Sequence, residues 1–145
     1  MLLGPLTHPE LLAALGRAGH GSQVLITDGN YPHSTGAHPE AKRIWLNLAP
    51  GLLTVSQVLG VLVEAIPLER AAVMVPEADA LPEHRMDVIP AHEDYRGMLP
   101  EVSFDELPRF AFYGAAQSDS VAVVIATGDQ RFYANLLLSI GTRPA

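Results

Sequence analysis

The fold class predicted by this 145-residue sequence is a single-domain α/β sandwich, with a largely parallel central sheet flanked by helices. Three observations lead there. Short, nearly all-apolar runs such as Val24-Leu25-Ile26 and Val121 to Ala126 have the pattern of strands buried on both faces, as parallel sheets require. Segments with helical spacing alternate with those runs. No internal repeat, low-complexity stretch or break in composition divides the chain, and its length suits one core.

Each element has its own signal. Thr7-His8-Pro9-Glu10 reads as a helix start, with Thr7 as the cap, Pro9 in the first turn and Glu10 at the third helical position. Leu11, Leu12 and Leu15 follow at helical spacing, and Gly19 ends the helix. Gln23 to Thr27 is a strand, leaving Asp28 at its C-terminal end. Residues 29–39 form a loop with two glycines, two prolines, His33 and His38. Ile44 to Leu48 is a second strand, and Thr54 with Gln57 makes a capping box for a helix running to about Ile66. Ala71 to Val75 is a buried strand. The polar, proline-punctuated stretch 76–100 holds one short helix, and Met86 to Ile89 reads as a strand. A helix covers Pro108 to Gln117, proline being tolerated in a first turn. Ser120 to Thr127 is a strand broken by Gly128-Asp129, and Leu136 to Ile140 is the last.

Composition excludes several function classes. Nine basic against sixteen acidic residues give a net charge of −7, with no basic cluster, so nucleic-acid binding is not expected. The absence of cysteine removes disulfides, thiolate metal sites and thiol nucleophiles, and fits a cytoplasmic protein. Met1 to Leu6 is short, uncharged and broken by Gly4 and Pro5, unlike a signal peptide. The longest apolar region, Leu52 to Ile66, is interrupted by Thr54, Ser56, Gln57 and Glu64, so no membrane span is expected. Only 17% of residues are charged, which favours a surface partly covered in a homo-oligomer.

The chemistry centres on Gly19-His20-Gly21 and, one strand later, Asp28. A histidine titrates near neutrality, so with a nearby carboxylate it can move a proton. The plainer readings are a helix-end histidine favouring the dipole and an Asp-Gly turn. Tyr133 and Asn135, two apart, can share a face and hold a neutral polar ligand, or form an ordinary turn before the last strand. Phe110, Phe112 and Tyr113 read most simply as core aromatics and Arg109 as a solvated helix charge. His33 and His38 with Asp28 raise a metal-dependent hydrolase, although their spacing matches no zinc motif. Gly19 and Gly21 follow a helix and open a strand, the reverse of a dinucleotide fingerprint. No Walker lysine motif or nucleophile elbow is present.

Taken in order, these segments resemble the D-ribose pyranase and L-fucose mutarotase family over essentially the whole chain, from Pro9-Glu10-Leu11-Leu12 to Leu136-Leu137-Leu138 and Gly141. The motifs are Gly19-His20-Gly21 with Asp28, Gln57-Val58-Leu59-Gly60, Arg109-Phe110-Ala111-Phe112-Tyr113, and Thr127-Gly128 with Tyr133-Ala134-Asn135. Arg109 to Tyr113 looks like the fucose branch, whereas Gln57 to Gly60 and Ala134 look like the ribose branch. The resemblance implies an α/β ring-like homo-oligomer, often of ten subunits. It also implies an enzyme without metal or other cofactor acting on free monosaccharides. His20 falls on the proton donor and Asp28 on a sugar-binding position. Arg109, Tyr133, Ala134 and Asn135 match further substrate-binding positions, and Arg109 or His92 is a candidate to reach a neighbouring subunit's pocket. The expected function is a monosaccharide mutarotase, L-fucose being the leading substrate. A D-ribose pyranase and a non-catalytic sugar-binding or transport accessory protein stand as alternatives.

Overall fold

The computed structural model describes residues 2–145. Six strands form one sheet: β1 (Gln23–Thr27), β2 (Lys42–Trp45), β3 (Leu68–Val75), β4 (Ser103–Pro108), β5 (Val121–Ala126) and β6 (Leu136–Ile140). Their spatial order is β2-β5-β1-β6-β3-β4. β1 and β2 pair parallel with β5, and β3 pairs parallel with β4. β6 alone runs the other way, antiparallel to both β1 and β3. The α/β class and the largely parallel sheet are therefore as the sequence predicts.

Four α-helices cover this sheet: α1 (Pro9–Arg17), α2 (Val55–Leu62), α3 (Pro90–Met98) and α4 (Arg109–Ala116). Alternation along the strands sorts side chains onto two faces. Val24, Ile26, Ile125 and Leu136 pack with Leu11 of α1, Leu59 of α2 and Tyr95 of α3. Leu25, Met74 and Leu137 pack on the other face with Phe112 of α4 and with Tyr31, Ala37 and Ala41 of the loop after β1. All four helices together with that loop thus enclose a sheet whose central strands are largely buried.

Several boundaries differ from the sequence reading, each for a local reason. His8, not Thr7, caps α1: its Nδ1 accepts the Leu11 N–H at 3.2 Å. The helix stops at Arg17, where extended Ala18 returns its N–H to Ala14 and Leu15. The Thr54–Gln57 capping box forms in both directions, but α2 ends at Leu62, followed by turns leading to Pro67. β2 begins at Lys42, because pairing with β5 runs from Lys42 to Trp45. Met86 to Ile89 is not a strand; β4 occupies the edge beside β3 that it would need. Within 76–100 the chain instead forms one 3-10 turn, Pro82–His84, and the nine-residue α3. β4 itself was unforeseen, since Ser103-Phe104-Asp105-Glu106 is an edge strand, exposed and rich in polar residues.

Candidate functional site

The lone antiparallel strand creates the site. Where β1, β3 and β4 end, β6 begins, so four chain segments converge at one sheet edge. Ligands gather at such C-terminal edges in open α/β sheets. Here a cavity of about 500 Å³ opens. Asp28 and Tyr31 reach it from the end of β1, Glu77 and Asp79 from the end of β3, and Arg109, Phe110 and Tyr113 from the start of α4. Phe132, Tyr133 and Asn135 come from the approach to β6, with Met74 beneath and His84 on the outer wall.

Asp28 and Asn135 form one unit across 107 residues. Asn135 Oδ1 accepts the Asp28 backbone N–H at 2.9 Å, and its Nδ2 donates to Asp28 Oδ2 at 2.9 Å. Asp28 Oδ1 accepts the Asn30 N–H, also at 2.9 Å. Both residues are buried. Burial raises the Asp28 carboxyl to about 6, the hydrogen bonds from Asn30 and Asn135 only partly opposing it. A carboxyl with that value exchanges protons readily near neutral pH. With its amide committed on both sides, Asn135 acts mainly by holding Asp28.

Helix α3 supports this floor from behind. His92 Nε2 donates to the Tyr133 carbonyl at 2.9 Å, and the Tyr95 hydroxyl donates to the Ala134 carbonyl at 2.7 Å. Tyr133 has φ of 60°, an uncommon left-handed conformation for a side chain of its size. His92 is buried against this carbonyl and so is not available to reach a neighbouring subunit. Ala134 is fully buried behind the cavity wall and contributes through its backbone.

Arg109 lines the cavity rather than being a plain solvated helix charge. Its Nε donates to Tyr113 Oη at 3.2 Å, and its guanidinium lies 5.5 Å from the Tyr113 ring centroid and 5.7 Å from that of Phe110. Only Phe112 of the three aromatics is core; Phe110 is exposed and, with Tyr113, lines the cavity. Phe132, Glu77 and His84 are cavity residues that the sequence reading missed. Their signal was absent because none belongs to a motif and the 77–84 segment reads as a polar loop.

His20 is not in this cavity. It precedes β1 whereas Asp28 follows it, and five extended residues span about 17 Å. Gly21, at φ 80°, makes the turn and donates its N–H to Ile140 O at 2.9 Å. His20 is exposed, with Nε2 3.1 Å from both Oε1 and Oε2 of Glu69. Glu69 sits where β3 slips register against β6 between Leu68 and Arg70. A bulge of this kind re-aims a side chain, here toward the imidazole. Since a carboxylate only accepts, Nε2 carries the proton shared with Glu69. His20 and Glu69 thus pair at the opposite sheet edge from Asp28.

His33 and His38 are also taken up locally. His33 Nδ1 lies 2.8 Å from Thr27 Oγ1, and His38 Nδ1 accepts the Glu40 N–H at 3.3 Å. Among the described residues no three His, Asp or Glu side chains converge to hold a metal ion. The hydrolase reading therefore finds no ligand set.

Comparison with known proteins agrees with the fold. The family model described as the RbsD / FucU transport protein family matches residues 1–143. A fucose mutarotase from Bos taurus is 33% identical over 146 residues, covering 94% of this chain and 89% of that protein. Two solved structures superpose over 99% of this chain and 100% of their own, each at 22% identity. They are the Streptococcus pneumoniae fucose mutarotase in complex with L-fucose, at a TM-score of 0.79, and Bacillus subtilis RbsD complexed with D-ribose, at 0.81. These two likenesses speak for the fold. With nearly its entire length matched and a third of its residues shared with a mutarotase, the chain belongs to the RbsD / FucU family.

Proposed function

We propose that this chain is a sugar mutarotase, an isomerase that interconverts the anomers of a free monosaccharide, with L-fucose the leading substrate. The observation that carries this reading is Asp28, locked by Asn135 on the floor of a cavity lined by aromatic rings and hydroxyl-binding groups. The bovine relative is named for fucose, which favours that sugar over ribose. Anomer exchange opens the ring by moving the anomeric hydroxyl proton and protonating the ring oxygen; rotation about the freed aldehyde carbon and closure complete it. Two positioned groups suffice, and one such acid–base group contributes roughly 10²- to 10⁴-fold.

Asp28 holds the sugar hydroxyls from the cavity floor, with Arg109 and Tyr133 on the rim. His20, oriented by Glu69, is the proton donor, and it serves the cavity of a neighbouring copy. Its exposure and its place at the far sheet edge support that arrangement. A ring-like homo-oligomer supplies it, a decamer being what the sequence resemblance implies. We place the protein in the cytoplasm; no helix among the described residues is long and apolar enough to cross a membrane.

Saturation-transfer NMR on L-fucose, D-ribose, D-galactose and D-glucose tests both claims. Wild type should accelerate exchange of L-fucose most. His20→Ala and Asp28→Asn should each lower the rate on the order of 100-fold or more while the oligomer persists. Mixed oligomers reassembled from the two inactive variants should recover about a quarter of wild-type activity, because a shared site combines one sound residue from each copy. No recovery would rule out the shared site. Sugar binding without faster exchange would leave the accessory-protein reading instead.

A further inference from the structure

The outer wall of the cavity, residues 76–88, carries chemistry that no motif of the chain announces. It is fastened at two points. Near its start, Glu77 Oε1 accepts the Phe110 N–H of α4 at 3.0 Å. Further along, the His84 carbonyl accepts the Tyr133 hydroxyl at 3.1 Å. A one-turn 3-10 helix, Pro82–His84, then presents the imidazole to the cavity, with its ring edge-on to Phe132 at 6.4 Å and 73°.

The hydrogen-bond ledger of the cavity separates His84 from its neighbours. Asn135 is committed to Asp28, Asp28 already accepts from Asn30 and Asn135, and the Tyr133 hydroxyl proton is donated to the His84 carbonyl. Arg109 can only donate, and Glu77 and Asp79 when ionised can only accept. The His84 ring makes no hydrogen bond with any described residue, and a neutral imidazole donates at one nitrogen and accepts at the other. That is the complement of a sugar hydroxyl, which also donates and accepts. Phe132 beside it offers a face for the apolar side of a sugar ring.

We propose that His84 is a binding and specificity-determining residue, which reads the configuration of one sugar hydroxyl from the outer wall. This rests on the mutarotase reading and deepens it. A site built to hydrogen-bond a hydroxyl discriminates strongly against a sugar that lacks or misplaces it, because its polar group is then left unpaired. The wall, rather than the Asp28 floor, would therefore separate one free sugar from its epimers.

The test compares His84→Ala and His84→Gln with wild type, measuring anomer exchange and ligand-observed NMR titration for L-fucose and for epimers differing at one hydroxyl. His84→Ala should raise both KM and Kd for L-fucose about tenfold, with kcat within about twofold. Preference over the epimer misplacing the hydroxyl should narrow by a similar factor. His84→Gln, which keeps a donor and an acceptor, should restore most of the affinity. Unchanged KM and Kd on every sugar would overturn the proposal, as would a fall in kcat at constant KM. If wild type neither binds sugar nor accelerates exchange, it is the mutarotase reading that fails. A wild type that works normally beside an indistinguishable His84→Ala refutes His84 alone.

Discussion

Two buried aspartates stand at the same sheet edge, one after β1 and one just beyond β5, and they are treated in opposite ways. Asp129 is given a cation: Arg131 Nη2 and Nε donate to its carboxylate at 2.7 and 3.0 Å, and Oδ2 also accepts the Val55 N–H that opens α2. Burial pushes this carboxyl up, but Arg131 and the backbone donors overcome it and hold the group below the ordinary carboxylate range. Arg131 goes on to Asp94 of α3 and Ser56 of α2, so the cluster joins three elements. Asp28 has an amide and one backbone N–H, no cation, and a cavity in front of it. A buried carboxylate paired with a cation is fixed in charge and serves the fold. One held by neutral donors stays near its titration point and can serve chemistry.

Removing each aspartate sharpens that contrast. The largest effect on folding should come from Asp129→Ala, which leaves Arg131 without its main partner and frees the first N–H of α2. We expect a loss of about 2–4 kcal/mol, below the full range for a buried pair because Arg131 is partly exposed. Denaturant unfolding at fixed protein concentration measures it, alongside exchange activity per folded molecule, which should hold. A loss of activity with little loss of stability would invert the assignment of the two residues.

The contrast between these aspartates was half visible in the sequence. Asp28, Tyr133 and Asn135 stood in recognisable segments, but the bonds joining Asp28 to Asn135 cross 107 residues and depend on β6 running antiparallel, which spacing does not reveal. Asp129 stood only as part of the Gly128-Asp129 break after a strand, and no motif marked its Arg131 partner. β1 and β6 were legible to the residue because each is largely buried around a run of three apolar residues, Val24 to Ile26 and Leu136 to Leu138. β4 was not, since an edge strand needs apolar residues on only one side. The Glu69 partner of His20 was hidden for another reason: a bulge aims it, and bulges leave no period in a sequence.

Acidity should separate the two aspartates next. The folded value of Asp28 lies at about 6, above its ordinary value of 3.8. Between those limits the folded protein holds a proton that the unfolded chain releases, so this group costs stability as pH rises from about 4 to 6. Asp129 is held low, so its contribution is present above the ordinary carboxylate range and is lost as acid titrates it further down. Thermal unfolding of wild type and Asp28→Asn across pH 4 to 8 isolates the first slope. Relative to the variant, wild type should lose about 2 kcal/mol through that window and then level off. Parallel curves would mean that the carboxyl is not perturbed.

The smallest expected effect concerns what allows Asp28 to do without a cation. Its partner Asn135 must be held still, and the segment before β6 contains a strained residue, Tyr133. Helix α3 meets that need with two neutral donors on consecutive carbonyls, His92 on Tyr133 and Tyr95 on Ala134. Tyr95→Phe removes one donor with almost no change in shape and leaves a buried carbonyl unpaired, at a cost of about 1–2 kcal/mol. If the carbonyl clamp positions Asn135, this variant should also raise KM a few-fold, although residue 95 does not line the cavity. An equal loss of stability with KM unchanged would show that Tyr95 serves only the core. The amide would then hold Asp28 through the β1–β6 pairing alone, because Asn135 directly precedes the Leu136–Ile26 pair of that ladder.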